Sequence, residues 1–463
     1  MLGISDGEQP WLPGTSTSCV LFPFQVQGIA WLLQMSLSPI RGAILGDDMG
    51  LGKTYQACGL IQALVNARAK EEDPALKYGK AKVSLVVVPP IVLSPWQDVL
   101  KSNFPALTVK DYGPGTPFLT AADLPEGETA ASYIVLTTYP IMERHSLKAK
   151  ESWQKTNPDV AWPQDLAGLI GTLVLDEAQS IKKAQHSVRW SALKLLNAER
   201  TICMTGTLFD NGVDDISGPL ALISQDNLWA KLKTHVKENP FNFDSDDERA
   251  ALQCTTAALD SWVKRCKDPV TKGLWLQKIL RQLMRKTTYE TVFRGRKIGE
   301  AVPPMRQTLI ELHHQPEVLK QYQAVAGELG KHLITMEEGA NGQLVARFHM
   351  DVHRTLTVIN LWYPLHHIAK DWHVKRVQEF RKTNGDLRAF LMLMINESPY
   401  KWSSSKPIYQ CTSAELVAEV GTTSPIIRFT LSVVRNIVVV LRRKLLIWTD
   451  YPLSQLFMEL VSS

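Results

Sequence analysis

Residues 42–57 read GAILGDDMGLGKTYQA. A short apolar run, Gly42–Leu45, gives way to a glycine-containing loop, then to Gly52-Lys53-Thr54 and a helix-forming stretch. Strand, loop and helix in that order turn the loop's backbone N–H groups and the helix N-terminus toward one point, a setting that favours phosphate oxygens. In such a loop the Lys53 ammonium reaches the terminal phosphates and the Thr54 hydroxyl ligates Mg²⁺. The usual spacing, G-x-x-x-x-G-K-[ST], is met except at its first position, which holds Asp47.

Outward from this loop, residues 22–223 alternate short apolar runs with helical stretches. The expected strands are Gly42–Leu45, Ser84–Val88, Leu107–Lys110, Tyr133–Thr137, Thr172–Leu175 and Arg200–Met204. Several are apolar throughout, as strands covered on both faces should be. Thr54–Ala69 and Lys183–Ala198 are the clearest intervening helices, and this rhythm predicts a parallel sheet in an α/β lobe. Within it, Thr172–Gln179 (TLVLDEAQ) sends two adjacent carboxylates out of the end of a strand, which suits a site at the edge of a parallel sheet. With a phosphate loop upstream, Asp176 holds Mg²⁺ through water, and Glu177 orients and deprotonates the water that attacks the γ-phosphate.

The 463 residues predict about three domains, or two lobes with large insertions, and a hydrophobic share of 45% supplies a sizeable core. The net charge is +5, and it is uneven: residues 345–463 hold 15 Lys/Arg against 9 Asp/Glu, the preceding 344 residues 36 against 37. That bias is compatible with a polyanionic partner. The N-terminus shows no secretory signal, and neither Leu85–Pro95 nor Ile437–Trp448 is long and apolar enough to span a bilayer, so no membrane association is expected. Six cysteines without a CxxC pair suggest neither a zinc cluster nor a disulfide framework, and point to cytosol or nucleus.

In order and content these blocks resemble the N-terminal half of a Swi/Snf-like ATPase, a DNA-translocase family within helicase superfamily 2. Leu21–Leu32 (LFPFQVQGIAWL) is similar to the family's adenine-reading segment, which makes Gln25 the adenine reader. Asp47, Asp48, Met49, Gly50, Leu51, Gly52, Lys53 and Thr54 match the family's phosphate loop, whose first position is also Asp; Asp48 stands where Glu is usual. Leu85–Gln97 and Val135–Tyr139 resemble the next two blocks, and Asp176–Gln179 the Mg²⁺ and base box. Arg200–Asn211 (RTICMTGTLFDN) resembles the block that couples hydrolysis to lobe movement; it keeps Thr205, Gly206 and Thr207, with Leu208 and Asp210 in place of Pro and Gln. Leu283–Thr287 (LMRKT), Val302-Pro303-Pro304 and Gln321-Tyr322 fit the downstream text.

The resemblance implies a RecA-like ATP-binding lobe over about 20–223, a helical insertion or protrusion over 224–400, and the start of a second RecA-like lobe over 411–463, with Lys444–Trp448 (KLLIW) as its first strand. It further implies ATP and Mg²⁺ as cofactors, duplex DNA or chromatin as partner, and the nucleus as location. The family's second lobe carries a Gln-x-x-x-Arg-x-x-Arg pattern that completes the γ-phosphate pocket, and residues 424–463 hold no such pattern. The expectation is therefore a truncated second lobe and a DNA-dependent ATPase weak in hydrolysis alone. The alternative is a non-hydrolysing ATP-binding scaffold or interaction module derived from the same family.

Overall fold

The computed structural model describes residues 12–224, 268–302, 308–362, 365 and 413–447, apart from 39, 71–79, 114, 117–118, 182–186, 209–212 and 339–343. It forms two compact units, residues 1–304 and 305–463.

The first unit is built on a seven-stranded sheet in the order β3-β4-β2-β5-β6-β1-β7, and every described pairing in it is parallel. The strands are β1 (Gly42–Leu45), β2 (Val83–Val88), β3 (Thr108–Tyr112), β4 (Tyr133–Thr138), β5 (Ile170–Leu175), β6 (Arg200–Met204) and β7 (Met284–Arg285). In β1, β2, β5 and β6 every residue is buried. Helices cover both faces of these central strands, so their apolar runs are continuous rather than alternating. At the sheet edge, β3 alternates exposed and half-buried positions and carries Lys110 and Asp111, charges that discourage edge-to-edge pairing.

Helix α1 (Pro23–Leu37) begins with Pro at its first position, where no intrahelical donor is needed. It lies close against α2 (Lys53–Ala69): a Cβ added at Gly59 would collide with Ile29, and one at Gly28 with Gln56. Helix α3 (Leu93–Asn103) buries Trp96 and Leu100. The register sets Val87 beside Leu175, Leu175 beside Cys203, and Leu45 between Met204 and Arg285. The residues just past these positions, including Gly46, Asp176 and Thr205, therefore line up along one edge of the sheet.

Two sequence expectations are corrected. Residues 224–400 are not uniformly helical. Met284 and Arg285 pair with Ile44 and Leu45 as a seventh strand of the main sheet, and Val292–Phe293 with Arg296–Lys297, and Ile334–Glu338 with Leu344–Phe348, form antiparallel hairpins. A two-residue strand has no run long enough to betray its period; the neighbouring edge of β1 creates it. Residues 444–447 of KLLIW form no strand, because among the described residues no strand lies alongside to accept their ladder. The proposed break at 238–247, the linker at 398–407 and the stretch 448–463 lie outside the described residues.

The second unit contains helices Pro316–Gly330, Met350–Leu361, Ser413–Thr423 and Pro425–Val434, the last running into a π-helical turn, Arg435–Val440. Trp362, Val358, Ile359, Val420 and Ile427 are buried there, and the Trp362 indole donates to Thr423 Oγ1 at 2.9 Å. No helix among the described residues is long and apolar enough to cross a membrane.

Ile44 is fully buried between Cys203 and Met284. Ile44→Ala should cost about 2–5 kcal/mol, the combined loss of apolar transfer and the cavity left behind. The change is read as a lower denaturant midpoint at unchanged slope.

Candidate active site

The phosphate loop is shaped by two glycines. Gly50 and Gly52 have φ of +84° and +77°, left-handed values that other residues rarely adopt. A Cβ at Gly52 would strike the Gln25 amide, and one at Gly50 would sit 2.5 Å from the Tyr289 hydroxyl. Lys53 opens α2 and is nearly buried. Its ammonium donates to the carbonyls of Asp47 at 2.8 Å and Asp48 at 3.3 Å, so it lies folded over the loop. Thr54 follows on the first turn of the same helix.

Asp47 explains the departure from the usual loop pattern. Its side chain is fully buried and points inward, accepting from the Gln56 amide at 2.8 Å and the Thr287 backbone N–H at 2.7 Å. Glycine at this position would leave both donors without that carboxylate, and an unsatisfied buried donor costs about 1–3 kcal/mol. Nearby, Arg285 donates to the Phe24 carbonyl at 3.1 Å and to Gln27 at 3.2 Å. Asp48 lies 4.0 Å from the Lys286 ammonium.

Asp176 leaves β5 with both oxygens engaged. Oδ1 accepts the Glu177 N–H at 3.0 Å, and Oδ2 accepts the Trp96 indole N–H at 2.8 Å. Its backbone carbonyl accepts the Tyr139 hydroxyl at 2.6 Å. Burial pushes the Asp176 carboxyl above its ordinary range, while the Trp96 hydrogen bond and the Lys53 charge oppose that rise. Glu177 sits in the left-handed region at φ 49°, a conformation that costs a non-glycine residue about 1–2 kcal/mol and that clusters at functional sites. The Glu177 carboxylate accepts from Gln179 Nε2 at 2.7 Å, and Gln179 Oε1 accepts the Thr205 hydroxyl at 2.6 Å. Thr205 Oγ1 in turn accepts the Thr207 N–H at 3.0 Å. A Cβ on Gly206 would meet Met49 at 3.3 Å and the Lys53 ammonium at 3.7 Å.

The structure therefore brings together Lys53, Asp176, Glu177, Thr205, Gly206 and Thr207. Gln25 joins them from α1: its Oε1 accepts the Phe22 N–H at 2.9 Å and its Nε2 donates to the Leu51 carbonyl at 3.2 Å. Asp210 lies outside the described residues.

Comparison with known proteins gives the family. The family described as SNF2-related domain matches residues 24–361.

This chain belongs to the SNF2-related domain family.

Within that family setting, it is 30% identical over 203 residues to Protein CHROMATIN REMODELING 19 of Arabidopsis thaliana, covering 42% of this chain and 24% of that protein. It is also 30% identical over 256 residues to Chromatin-remodeling ATPase INO80 of Neurospora crassa, covering 54% of this chain and 10% of the relative. The matched stretches thus span a quarter or less of these relatives' length. Among solved structures, the Sulfolobus solfataricus SWI2/SNF2 ATPase core in complex with dsDNA is similar at 18% identity and a TM-score of 0.41, over 96% of this chain and 70% of that one.

Several residues of this SNF2-related site escape sequence reading. Trp96 lies inside a quoted block, yet nothing in its spacing shows that its indole meets Asp176, 80 residues away. Thr287 ends the family-like LMRKT segment and Tyr289 follows it two residues on, but both reach the loop only because β7 lies beside β1. Phe22, 63% exposed, stacks on Phe24 at 5.7 Å next to Gln25.

Trp96→Phe keeps an aromatic ring and removes the donor, leaving Asp176 Oδ2 buried and unpaired. The smaller ring also leaves a cavity, whose cost is the same at every pH, so the pH-dependent part reports the lost hydrogen bond. The folded-state pKa of Asp176 already lies above the ordinary 3.8. Below that folded value the carboxyl is protonated and the loss is small. As pH climbs through it the unpaired charge must form, and the penalty should reach about 1–3 kcal/mol. Melting temperatures of variant and wild type compared across the acid-to-neutral range should therefore diverge as pH rises.

Proposed function

We propose that residues 42–57, 170–179 and 200–207 form the ATP-binding and hydrolytic face of a DNA-dependent ATPase of the chromatin-remodelling type, acting on duplex DNA or chromatin in the nucleus. The observation that carries this reading is the convergence of three strand ends, where Lys53, Asp176 and Glu177 meet at one sheet edge and Glu177 is tied through Gln179 to Thr205. Family membership and the chromatin-remodelling names of the relatives support the choice of partner.

The residues fit the nucleotide. Two left-handed glycines let the loop turn tightly, with Gln25 and Tyr289 packed where a Cβ would sit, and a hydroxyl with a carboxylate is the oxygen-donor set that Mg²⁺ takes beside substrate phosphates. When bound beside Thr54 and Asp176, Mg²⁺ would supply neutralisation of the phosphate charge. The loop's N–H groups and the Lys53 ammonium hold the phosphates, and Lys53 exchanges its two carbonyl partners for them. Thr54 and Asp176 hold the metal; Trp96 and the Glu177 N–H keep the Asp176 carboxylate in one orientation. Glu177, aimed by its left-handed backbone, positions the attacking water and takes its proton. Gln25, whose second amide hydrogen is left over after its bond to Leu51, reads the adenine edge, with Phe22 as a flat apolar neighbour. Thr205, Gly206 and Thr207 pass the state of Glu177 onward through Gln179.

Lys53→Ala should weaken Mg-ATP binding by roughly 10-fold or more, the worth of a charge-assisted contact of about 1.5–3 kcal/mol. Titration of fluorescent nucleotide into both proteins checks this; equal affinities would show that the loop is not the phosphate cradle.

Glu177→Gln should bind Mg-ATP as wild type does, because the amide keeps size and hydrogen bonding, yet lower phosphate release by about 100-fold, since it cannot accept a proton. Loss of ATP binding as severe as in Lys53→Ala would refute that division of roles.

A further inference from the structure

The segment just beyond β7 runs alongside the phosphate loop. The Gly46 N–H donates to the Arg285 carbonyl at 2.7 Å, the Asp48 N–H to the Thr287 carbonyl at 2.9 Å, and the Thr287 N–H to the Asp47 carboxylate at 2.7 Å. The last contact of this series comes from a side chain: the Tyr289 hydroxyl donates to the Met49 carbonyl at 2.7 Å. Four consecutive loop residues, Gly46 to Met49, are thereby held by residues 285–289. The Asp48 N–H is spent inside the protein, and the Leu51 N–H donates to the Asp48 carbonyl at 3.3 Å, which leaves the Met49 and Gly50 N–H groups of this stretch for a phosphate.

The Met49 carbonyl matters because a trans peptide is planar, so its C=O and the following N–H point in opposite directions. Holding Met49 O toward Tyr289 turns the Gly50 N–H the other way. A flipped peptide would instead present carbonyl oxygen to the anion. Gly50, at φ +84°, is the flexible joint at which such a flip occurs.

Tyr289 is itself braced. The Thr291 N–H donates to the Thr288 carbonyl at 3.0 Å, and the Thr288 N–H to Thr291 Oγ1 at 2.9 Å, closing a turn around it. From the 3-10 turn that follows the hairpin, Ile298–Ala301, the Gly299 N–H donates to the Tyr289 carbonyl at 2.9 Å. A Cβ at Gly299 would lie 2.9 Å from both that oxygen and the Tyr289 Cβ. The Thr288–Thr291 turn and Gly299 therefore hold the Tyr289 backbone on two sides.

We propose that Tyr289 is the latch of the phosphate loop, a positioning residue that fixes the 49–50 peptide with its N–H turned toward the nucleotide's phosphates; this rests on the nucleotide reading above.

Tyr289→Phe keeps the ring and removes the latch. In the nucleotide-free protein, amide exchange over residues 46–53 should quicken while β2 and β5 stay as protected as in wild type. Mg-ATP affinity should fall by about three- to tenfold, the range of a single net hydrogen bond, with adenosine binding unchanged. A merely structural role would not separate the triphosphate from the nucleoside. Gly299→Val, which displaces Tyr289 from behind, should reproduce the exchange pattern. Wild-type exchange over residues 46–53 in Tyr289→Phe, or faster exchange with unchanged Mg-ATP affinity, overturns the proposal. The nucleotide reading fails on a different result, the absence of Mg-ATP binding by the wild type, and the exchange comparison decides the latch in that event too.

Discussion

One buried carboxylate holds this lobe's chemistry in place. Asp47 has no exposure to solvent and bonds at once to α2 through Gln56 and to the segment after β7 through Thr287. Everything that makes the loop competent follows from that tie. It sets where the loop leaves β1 and how α2 starts, and it draws the late strand against β1. A phosphate loop more commonly begins with glycine because backbone crowding demands it; here the first position acts as an internal clamp, and the flexibility is deferred to Gly50 and Gly52.

The opposite side of the site is built on a different principle. Asp176 sits where burial disfavours its charge, and the protein offsets this with the Trp96 indole, the Glu177 N–H and the nearby Lys53 ammonium. Neighbouring Glu177 stores backbone strain. Both features cost the folded chain stability when no ligand is present, and both hold reactive groups in fixed orientation. Such costs are sustainable because β2, β5 and β6 form a fully buried platform beneath them.

Much of this was legible in the residues. Six of the seven strands were expected between helices, most of them as apolar runs, and β1 and β6 fall on the expected residues. Lys53, Asp176, Glu177 and Thr205 follow from the order of their blocks. The rest depends on pairings that no local pattern encodes. Met284 and Arg285 become a strand only because β1 offers an edge, whereas residues 444–447 of KLLIW, with a convincing apolar run, pair with no strand among the described residues. Asp47 reads as a mismatch until its partners are seen, and Trp96 and Tyr289 act across 80 and 240 residues.

That last separation bears on how the protein is made. The ribosome delivers β1 and the loop early, and the partners of that loop emerge 240 residues later. At about 5–20 residues per second, the interval is roughly 10–50 s. Throughout it, one side of β1 stands as an open row of backbone donors and acceptors, an invitation to foreign strands. For that interval the edge of β1 has no partner from residues 284–285, and no fragment ending before Tyr289 has all four ties that hold Gly46–Met49.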